Sequence, residues 1–304
     1  MSADPGVAGD DEGAVGAVAS AAARVAAVVV NYESDGALAR CVTDLAAVGP
    51  AELVVVDNGS TDGSVATASA EVPGLQVLTP GRNLGYGAGV NRGVAATTAP
   101  LVLVCNPDLE VPPDAVGALV AVLDADPRWA LVGPLVRTPE GGRYPSARRF
   151  PSLVDAAGHA LLGLFAPDNR FTRAYQRSEL DDATVEAREA DWVSGACFLV
   201  RRAAFEAVGG FDEAYFMYAE DVDLCWRIGR AGWRVAYAPA AEVIHLQGRS
   251  TDRHPYRMIF EHHRSLLRFA SRSSDGWRSA LLPLVAVGIA VRAGLACIAR
   301  ARGR

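Results

Sequence analysis

Apolar runs typical of buried strands alternate with stretches of helical spacing over the first third of the chain. The predicted strands lie at 25–30, 53–57, 75–79 and 101–105, and the predicted helices at 35–47, 62–71 and 85–97. Short β-branched strands between helices favour a mostly parallel sheet with helices on both faces. The pattern therefore predicts a Rossmann-like α/β fold.

Polar residues follow three of these strands. Asn31 ends the first run, Asp57 begins the turn DNGSTDGS after the second, and Asn106-Pro107-Asp108 follows LVLVC. Ligands of parallel sheets bind beyond the carboxyl ends of the strands, so these side chains are expected to share one crevice. Asp57 suits hydrogen bonds from a nucleobase and ribose, and Asp108 suits Mg²⁺ or Mn²⁺. Both also suit ordinary turns.

The glycine-rich stretch GRNLGYGAGVNRGV, at residues 81–94, only superficially resembles a dinucleotide-binding fingerprint. Such a fingerprint follows the first strand and is followed by an acidic ribose ligand about 20 residues later. We interpret the stretch as the start of a helix that packs near a nucleotide. Hydride-transfer chemistry is therefore disfavoured.

Residues 138–190 are rich in Gly, Pro, Arg and Asp, and their weak periodicity predicts an insertion or lid over the crevice. Regular patterns resume with the apolar run DWVSGACFLV, a helix that begins near Glu220, and a strand that leads to His245. We expect His245 to be a metal or phosphate ligand, or else a structural residue.

Three carboxylates, those of Glu220, Asp221 and Asp223, lie at the beginning of the predicted helix. Helical geometry separates Asp221 from Asp223 by about 200°, so one of them faces away from the crevice. Aromatic residues precede the triplet, as in a sugar site with a general base. Favourable charge at a helix N-terminus is the simpler interpretation.

The C-terminal segment differs in charge from the rest of the chain. Residues 249–304 contain eleven arginines against three carboxylates, whereas the whole chain has a net charge of −6. A basic segment on an acidic body disfavours nucleic-acid binding and suits anionic lipid or pyrophosphate, or a solvated helix face. The pattern is helical from residue 255, with an interruption near Pro283.

The apolar stretch Ala280–Ala299 contains Arg292. A membrane span needs about 20 uninterrupted apolar residues, so an interfacial or packed helix is predicted instead. Five widely spaced cysteines without a CxxC pair indicate reduced thiols and a cytosolic compartment. Residues 1–23 are expected to form a disordered leader rather than a secretory signal.

The order of motifs resembles glycosyltransferase family 2, whose members adopt the GT-A fold. The resemblance runs over about residues 25–250, and the motifs are VVVNYES, DNGSTDGS, NLGYGAGVNRG, CNPDLEV, WVSGACFLVRR and AYFMYAEDVDLCWR. It implies a GT-A domain at 24–250, which follows the expected leader at 1–23 and precedes the basic, partly apolar helical extension at 251–304. GPLVRTPEGGRYPSARRFPSL and GRAGWRVAYAPAAEVIHLQGRST look like the actinobacterial cell-wall-linker rhamnosyltransferases, which move L-rhamnose from dTDP-L-rhamnose to N-acetylglucosaminyl-diphospho-decaprenol.

The resemblance implies a role for each matching residue. Asp221 would be the catalytic base of an inverting displacement, and Mg²⁺ or Mn²⁺ would be held by Asp108 and His245. The other implied contacts are with the nucleotide-sugar donor, by Asn31, Asp57, Asn83, Asn106 and Asp108, and with the acceptor, by Trp192, Gly195 and Glu220. The family's Asp-x-Asp motif is Asn106-Pro107-Asp108 here, so the metal site has one charge fewer.

A polyprenyl-diphosphate acceptor lies in a membrane, which implies a peripheral enzyme at the inner face of the cytoplasmic membrane. The residues favour no particular oligomeric state. Another hexosyl or galactofuranosyl transferase, a nucleotidyltransferase and a non-catalytic sugar-nucleotide-binding protein remain alternatives. A nucleotidyltransferase would normally have a glycine-rich basic loop after its first strand, which VVNYESDGAL lacks.

Overall fold

A computed structural model describes residues 20–150, 169–170, 186–246 and 255–302 of the chain. The strands are β1 (Val25–Asn31), β2 (Glu52–Asp57), β3 (Gln76–Leu78), β4 (Leu101–Cys105), β5 (Leu109–Glu110), β6 (Trp129–Arg137), β7 (Arg143–Tyr144), β8 (Ala147–Arg148), β9 (Arg188–Ala190), β10 (Trp192–Val193), β11 (Cys197–Arg201) and β12 (Arg234–His245). The helices are α1 (Ala37–Val48), α2 (Ser64–Glu71), α3 (Tyr86–Ala95), α4 (Pro113–Ala125), α5 (Arg202–Ala207), α6 (Glu220–Arg230), α7 (Pro255–Ser273), a 3₁₀ helix (Gly276–Leu281) and α8 (Leu282–Ala301).

The central sheet has the strand order β3-β2-β1-β4-β11-β6-β12-β5. The first four strands are parallel, as predicted from the alternation of strands and helices. β11 runs antiparallel to both β4 and β6, and β12 is parallel to β6 but antiparallel to β5 and β9. The sheet is therefore mixed, but six of the eight strands in this order run in one direction, as expected for a mostly parallel sheet.

Helices cover both faces of the sheet. α1, α2 and α4 pack on the face that carries Val29, Leu103 and Leu199. α3, α5 and α6 pack on the face that carries Val30, Val104 and Phe198. The alternation of side chains along each strand builds both cores, and burial of apolar area on each face stabilises the domain.

α3 approaches the sheet closely because of its glycines. A Cβ on Gly93 would lie 2.3 Å from Val28 Cγ1, and one on Gly89 would lie 2.8 Å from Val30 Cγ1. The glycine-rich stretch thus allows close helix-to-sheet packing, as expected of a helix start rather than a dinucleotide site.

One predicted boundary is wrong, and another agrees with the structure. Residues 20–22 form a helical turn and Ala22 is buried in the core, so the leader does not extend to residue 23. The α-helical pattern of the C-terminal segment is interrupted from 274 to 281, just before Pro283, which agrees with the expected interruption near Pro283. Pro283 lies in the first turn of α8, where a missing N–H removes no helical hydrogen bond.

Candidate active site

A cleft of about 1110 Å³ lies at the carboxyl ends of the parallel strands. It is lined by Val30 at the end of β1, Asn58 after β2, the Asn106-Pro107-Asp108 turn after β4, and His245 at the end of β12. The first turn of α6 and one side of α7 complete it. The sheet thus brings together residues that are more than 200 positions apart in the chain.

Asp108 and His245 form a close pair in this cleft. His245 is fixed because it pairs with Leu109 of β5, and the Leu246 N–H donates to the Asp108 carbonyl oxygen at 2.9 Å. As a result, His245 Nε2 lies 3.1 Å from Asp108 Oδ1 and 3.4 Å from Asn106 Nδ2. All three predicted residues of this site therefore meet.

The pair fits one divalent cation. A carboxylate oxygen and an imidazole nitrogen suit Mn²⁺, and the carboxylate also suits Mg²⁺. The other ring nitrogen, Nδ1, is buried without a hydrogen-bond partner in the described residues, and the His245 ring packs edge-on against Tyr144. No group of three or more ligating side chains occurs within the described ranges. A cation held there would therefore take its other ligands from a bound molecule or from water.

Asp221 presents its carboxylate to the same cleft. Its Oδ2 accepts a hydrogen bond from the Gly195 N–H at 2.8 Å, and its Oδ1 accepts one from the Val222 N–H, also at 2.8 Å. Burial raises the pKa of Asp221, and these N–H groups partly offset that rise. The carboxylate is thus held in one orientation, as a general base requires.

Asp223 faces away from the cleft, as helical geometry predicts. It is fully buried and accepts a hydrogen bond from Arg227 Nε at 2.7 Å. The Arg272 guanidinium of α7 lies 3.3 Å from its other oxygen. Asp223 is therefore structural, and it connects α6 to α7.

Glu220 also lines the cleft but has a different environment. Burial and the neighbouring Asp221 charge raise the pKa of Glu220 to about 8. Its Oε2 is buried without a hydrogen-bond partner among the described residues. Burial thus raises the pKa of both adjacent carboxylates, and a pKa of about 8 keeps Glu220 mostly protonated at neutral pH.

The segment before Glu220 has a constrained backbone. Tyr218 and Ala219 have φ of +70° and +61°, in the left-handed region that non-glycine residues rarely adopt. The Phe216 carbonyl oxygen accepts a hydrogen bond from the Tyr86 N–H at 3.1 Å. A Cβ on Gly85 would lie 2.4 Å from the same oxygen, so this contact requires glycine. The start of α3 thus positions the segment that precedes Glu220.

The predicted acceptor residues Trp192 and Gly195 lie beside Asp221. Both line the cleft, and the Gly195 carbonyl oxygen accepts a hydrogen bond from the Tyr86 hydroxyl. A Cβ on Gly195 would lie 3.3 Å from Asp221 Cβ, which leaves little room for a side chain. The Arg148 guanidinium lies over the Trp192 ring, with its Cζ 5.7 Å from the ring centroid.

Asn31 and Asp57 form a buried network behind the cleft wall. Asn31 Nδ2 donates to Asp57 Oδ1 at 2.9 Å, and to the hydroxyls of Ser60 and Ser64 at 3.0 Å. Asn58 and Asn83, rather than Asn31 and Asp57, line the cleft. Direct contact of Asn31 and Asp57 with a nucleotide stays a prediction.

Several cleft residues were not predicted from the sequence. Glu33 accepts a hydrogen bond from the Thr61 N–H at 2.9 Å, and it joins the loops that follow β1 and β2. Other unpredicted residues of the cleft come from the 138–190 region and from α7, and they include Tyr144, Arg148, Arg257, Met258, His262 and Leu266. The amphipathic pattern of α7 predicts a packed face but not its partner. Residues 247–254, which follow β12, lie outside the described residues.

Comparison with known proteins gives consistent results at three levels. Residues 22–261 match the family model described as Glycosyltransferase like family 2. The N-acetylglucosaminyl-diphospho-decaprenol L-rhamnosyltransferase of Mycobacterium tuberculosis (strain H37Rv) is 42% identical over 285 residues, which cover 88% of this chain and 91% of that protein.

Two solved structures have a similar fold. The mannosyltransferase PcManGT from Pyrobaculum calidifontis, in complex with GDP-Man and Mn²⁺, has a TM-score of 0.56 at 18% identity and covers 91% of this chain and 75% of its own. Glucosyl-3-phosphoglycerate synthase from Mycobacterium tuberculosis, with Mn²⁺ and UDP-glucose, has a TM-score of 0.55 at 19% identity and covers 85% and 83%. This chain belongs to glycosyltransferase family 2 and has the GT-A fold.

Proposed function

We propose that this enzyme transfers L-rhamnose from dTDP-L-rhamnose to N-acetylglucosaminyl-diphospho-decaprenol, with inversion at the anomeric carbon. The observation that carries the reaction type is an oriented Asp221 carboxylate in the same cleft as the Asp108–His245 pair. The choice of substrates rests on the mycobacterial relative, which aligns with almost the whole chain.

In the proposed reaction, an acceptor hydroxyl oxygen forms a bond to the anomeric carbon of the donor sugar. Asp221 takes the hydroxyl proton as the bond between that carbon and the diphosphate oxygen breaks. Gly195 and Val222 hold the carboxylate through their N–H groups. Since attack and departure occur on opposite sides of the carbon, a single displacement inverts its configuration.

Asp108 and His245 would hold a divalent cation, which supplies charge neutralisation for the departing nucleoside diphosphate. Asn106 contributes an amide where the family motif has a carboxylate, and its Nδ2 faces the His245 ring. Donor binding is therefore expected to require Mg²⁺ or Mn²⁺.

The acceptor would lie against Trp192, Gly195 and Glu220, all of which line the cleft with Asp221. A protonated Glu220 can donate a hydrogen bond to an acceptor oxygen, which an ionised carboxylate cannot do. Its neutral form also keeps a second negative charge away from Asp221. The two carboxylates would thus divide acceptor positioning from proton transfer.

Because the proposed acceptor is anchored in a membrane, we also place the enzyme at the inner face of the cytoplasmic membrane. In the described part of the chain, the segment Gly276–Ala301 is long and apolar enough to cross a membrane by length and composition, and none of it is buried. We propose that it lies in the membrane interface and keeps the cleft near the acceptor.

A transfer assay tests this function. Purified protein, Mg²⁺, radiolabelled dTDP-L-rhamnose and membranes that contain the acceptor should move label into the lipid fraction. The Asp221→Asn variant should lose about 10²–10⁴ in turnover, because the base is removed, and should keep its donor affinity.

Asp223→Asn is not a suitable comparison because Asp223 is structural, so Asp114→Asn, at an exposed position on α4, serves as the matched control. Full turnover by Asp221→Asn would exclude the base role. Absence of transfer from dTDP-L-rhamnose by the parent, together with transfer from another nucleotide sugar, would reject the proposed donor.

A further inference from the structure

The beginning of α7 has an exposed aromatic side next to the cleft. Tyr256 and Phe260 lie one turn apart, and they are 52% and 64% exposed. Met258, on another side of the same turn, lines the cleft. In the part of the chain that the structure describes, every exposed large hydrophobic side chain lies between Tyr256 and Ile298. The cleft therefore opens beside the apolar surface of the molecule.

Arg257 lies at this boundary. It lines the cleft, and its guanidinium carbon lies 4.5 Å from the centroid of the Phe216 ring. No described carboxylate forms an ion pair or a hydrogen bond with it. Stacking on an aromatic ring orients the planar guanidinium and leaves its N–H edge available to a phosphate group.

The position of Arg257 is fixed relative to the segment that precedes Glu220. The Ser265 hydroxyl of α7 donates to the Met217 carbonyl oxygen at 2.9 Å, and the His262 ring packs edge-on against Tyr218. Farther along α7, Arg268 donates to Asp212 at 2.7 Å. These contacts hold α7 along the segment that leads to Asp221.

We propose that Arg257 binds the diphosphate of a lipid-linked acceptor and that Tyr256 and Phe260 contact the first isoprene units of its chain. The class of acceptor rests on the proposed function. In such a molecule the diphosphate joins a sugar, which must reach Asp221, to a chain that must stay outside. The diphosphate therefore lies at the rim of the cleft, where Arg257 provides the complementary charge.

Calorimetry with farnesyl diphosphate tests this site without a sugar. Saturating dTDP and Mg²⁺ first fill the donor site, and farnesyl diphosphate is then titrated into the full-length protein. The Arg257→Ala variant should bind it about 10- to 100-fold more weakly, because a charge-assisted contact is lost. Arg257→Lys should bind with intermediate affinity, since it keeps the charge but loses the guanidinium geometry.

Arg264→Ala is the matched control. Arg264 is an exposed arginine two turns along the same helix, and it pairs with Glu261 at 3.2 Å. This variant should bind farnesyl diphosphate as the parent does. Retained dTDP affinity in Arg257→Ala shows that the variant is folded, and Arg257→Gln provides a second test if the alanine variant is unstable.

Three outcomes would overturn the proposal. The first is that the parent does not bind farnesyl diphosphate, and the second is that the parent and Arg257→Ala bind it with equal affinity. The third outcome is that Arg257→Ala loses affinity for dTDP alone, which would assign Arg257 to the donor. In transfer assays, the KM for the lipid acceptor should rise and the KM for the donor should not. A parent that binds farnesyl diphosphate but transfers no rhamnose would retain this site and reject the proposed donor.

Discussion

At the scale of single residues, the proposed metal ligands Asp108 and His245 give a prediction that connects metal binding to donor binding. We predict that Asp108→Ala abolishes the Mg²⁺-dependent part of dTDP-L-rhamnose affinity, because a lone imidazole is a poor ligand for this hard cation. Calorimetry with and without Mg²⁺ measures this. Asp114→Ala, which removes an exposed carboxylate outside the cleft, should retain the full effect of Mg²⁺. Equal metal dependence in Asp108→Ala and the parent would contradict the assignment.

Glu220 provides a residue-scale prediction about pH. Its pKa is about 8 in the folded protein against 4.5 as the ordinary value. As pH rises between these values, the unfolded chain releases the proton first, so the free energy of unfolding of the parent falls. Glu220→Gln has no such proton. The free energy of unfolding of Glu220→Gln minus that of the parent should therefore become more positive by a few kcal/mol from pH 5 to pH 8.5.

Urea unfolding followed by circular dichroism at the two pH values measures this difference. Glu242→Gln is the comparison, because the Arg137 hydrogen bond lowers the pKa of Glu242 and keeps it ionised throughout this range. Its effect on stability should hardly change with pH. A Glu220→Gln effect that is the same at both pH values would contradict the raised pKa.

How far the site could be predicted depends on where each residue lies in the sequence. Asp108, Asp221 and His245 lie in recognisable motifs at the ends of regular elements, so their meeting in one cleft could be predicted. Arg257 and Glu33 could not, because their place depends on how α7 folds back and how two loops pack. The Asn31–Asp57 bond could be inferred only as proximity, not as a buried network behind the cleft wall.

At the scale of elements, the parallel arrangement of β1 to β4 follows from the alternation of strands and helices. The direction of β11 does not, because its apolar run is buried on both faces and carries no signal of direction. Its position between β4 and β6 is a tertiary property. The position of β11 matters for the site, because it places Gly195, two residues before the strand, against Asp221.

The close approach of α3 to the sheet gives a prediction at this scale. Gly93→Ala should destabilise the protein by about 1–3 kcal/mol, because its Cβ would overlap Val28 in a packed core. Gly229→Ala is the control, since a Cβ at this position in α6 meets nothing within 4 Å. It should be neutral or stabilising. Urea unfolding curves compare the two, and equal stability of both variants would contradict the packing argument.

At the scale of the whole molecule, the C-terminal helices combine positively charged side chains with exposed apolar side chains. The exposed side of α8 carries Leu284, Val287, Val291, Leu295 and Ile298. Residues 249–304 also contain eleven of the arginines. An apolar helix face with basic residues around it is typical of proteins that bind anionic membrane surfaces. The same chain thus combines a catalytic domain with a surface suited to where its proposed acceptor lies.

Membrane binding by this surface is the prediction for the whole molecule. A carboxylate on the apolar face should weaken binding to anionic phospholipid vesicles by at least about 10-fold, because it must leave water and meets like charge. Val287→Asp places one there, where the parent side chain is 60% exposed. Ala121→Asp, at an exposed position on α4, adds the same charge outside this surface and should bind as the parent does. Vesicle sedimentation compares the three proteins, and equal binding by both variants would contradict membrane binding through the exposed side of α8.

Since an interfacial helix is held partly by charge, high salt or alkaline carbonate should release the parent. Resistance to both treatments would instead mean that α8 spans the bilayer.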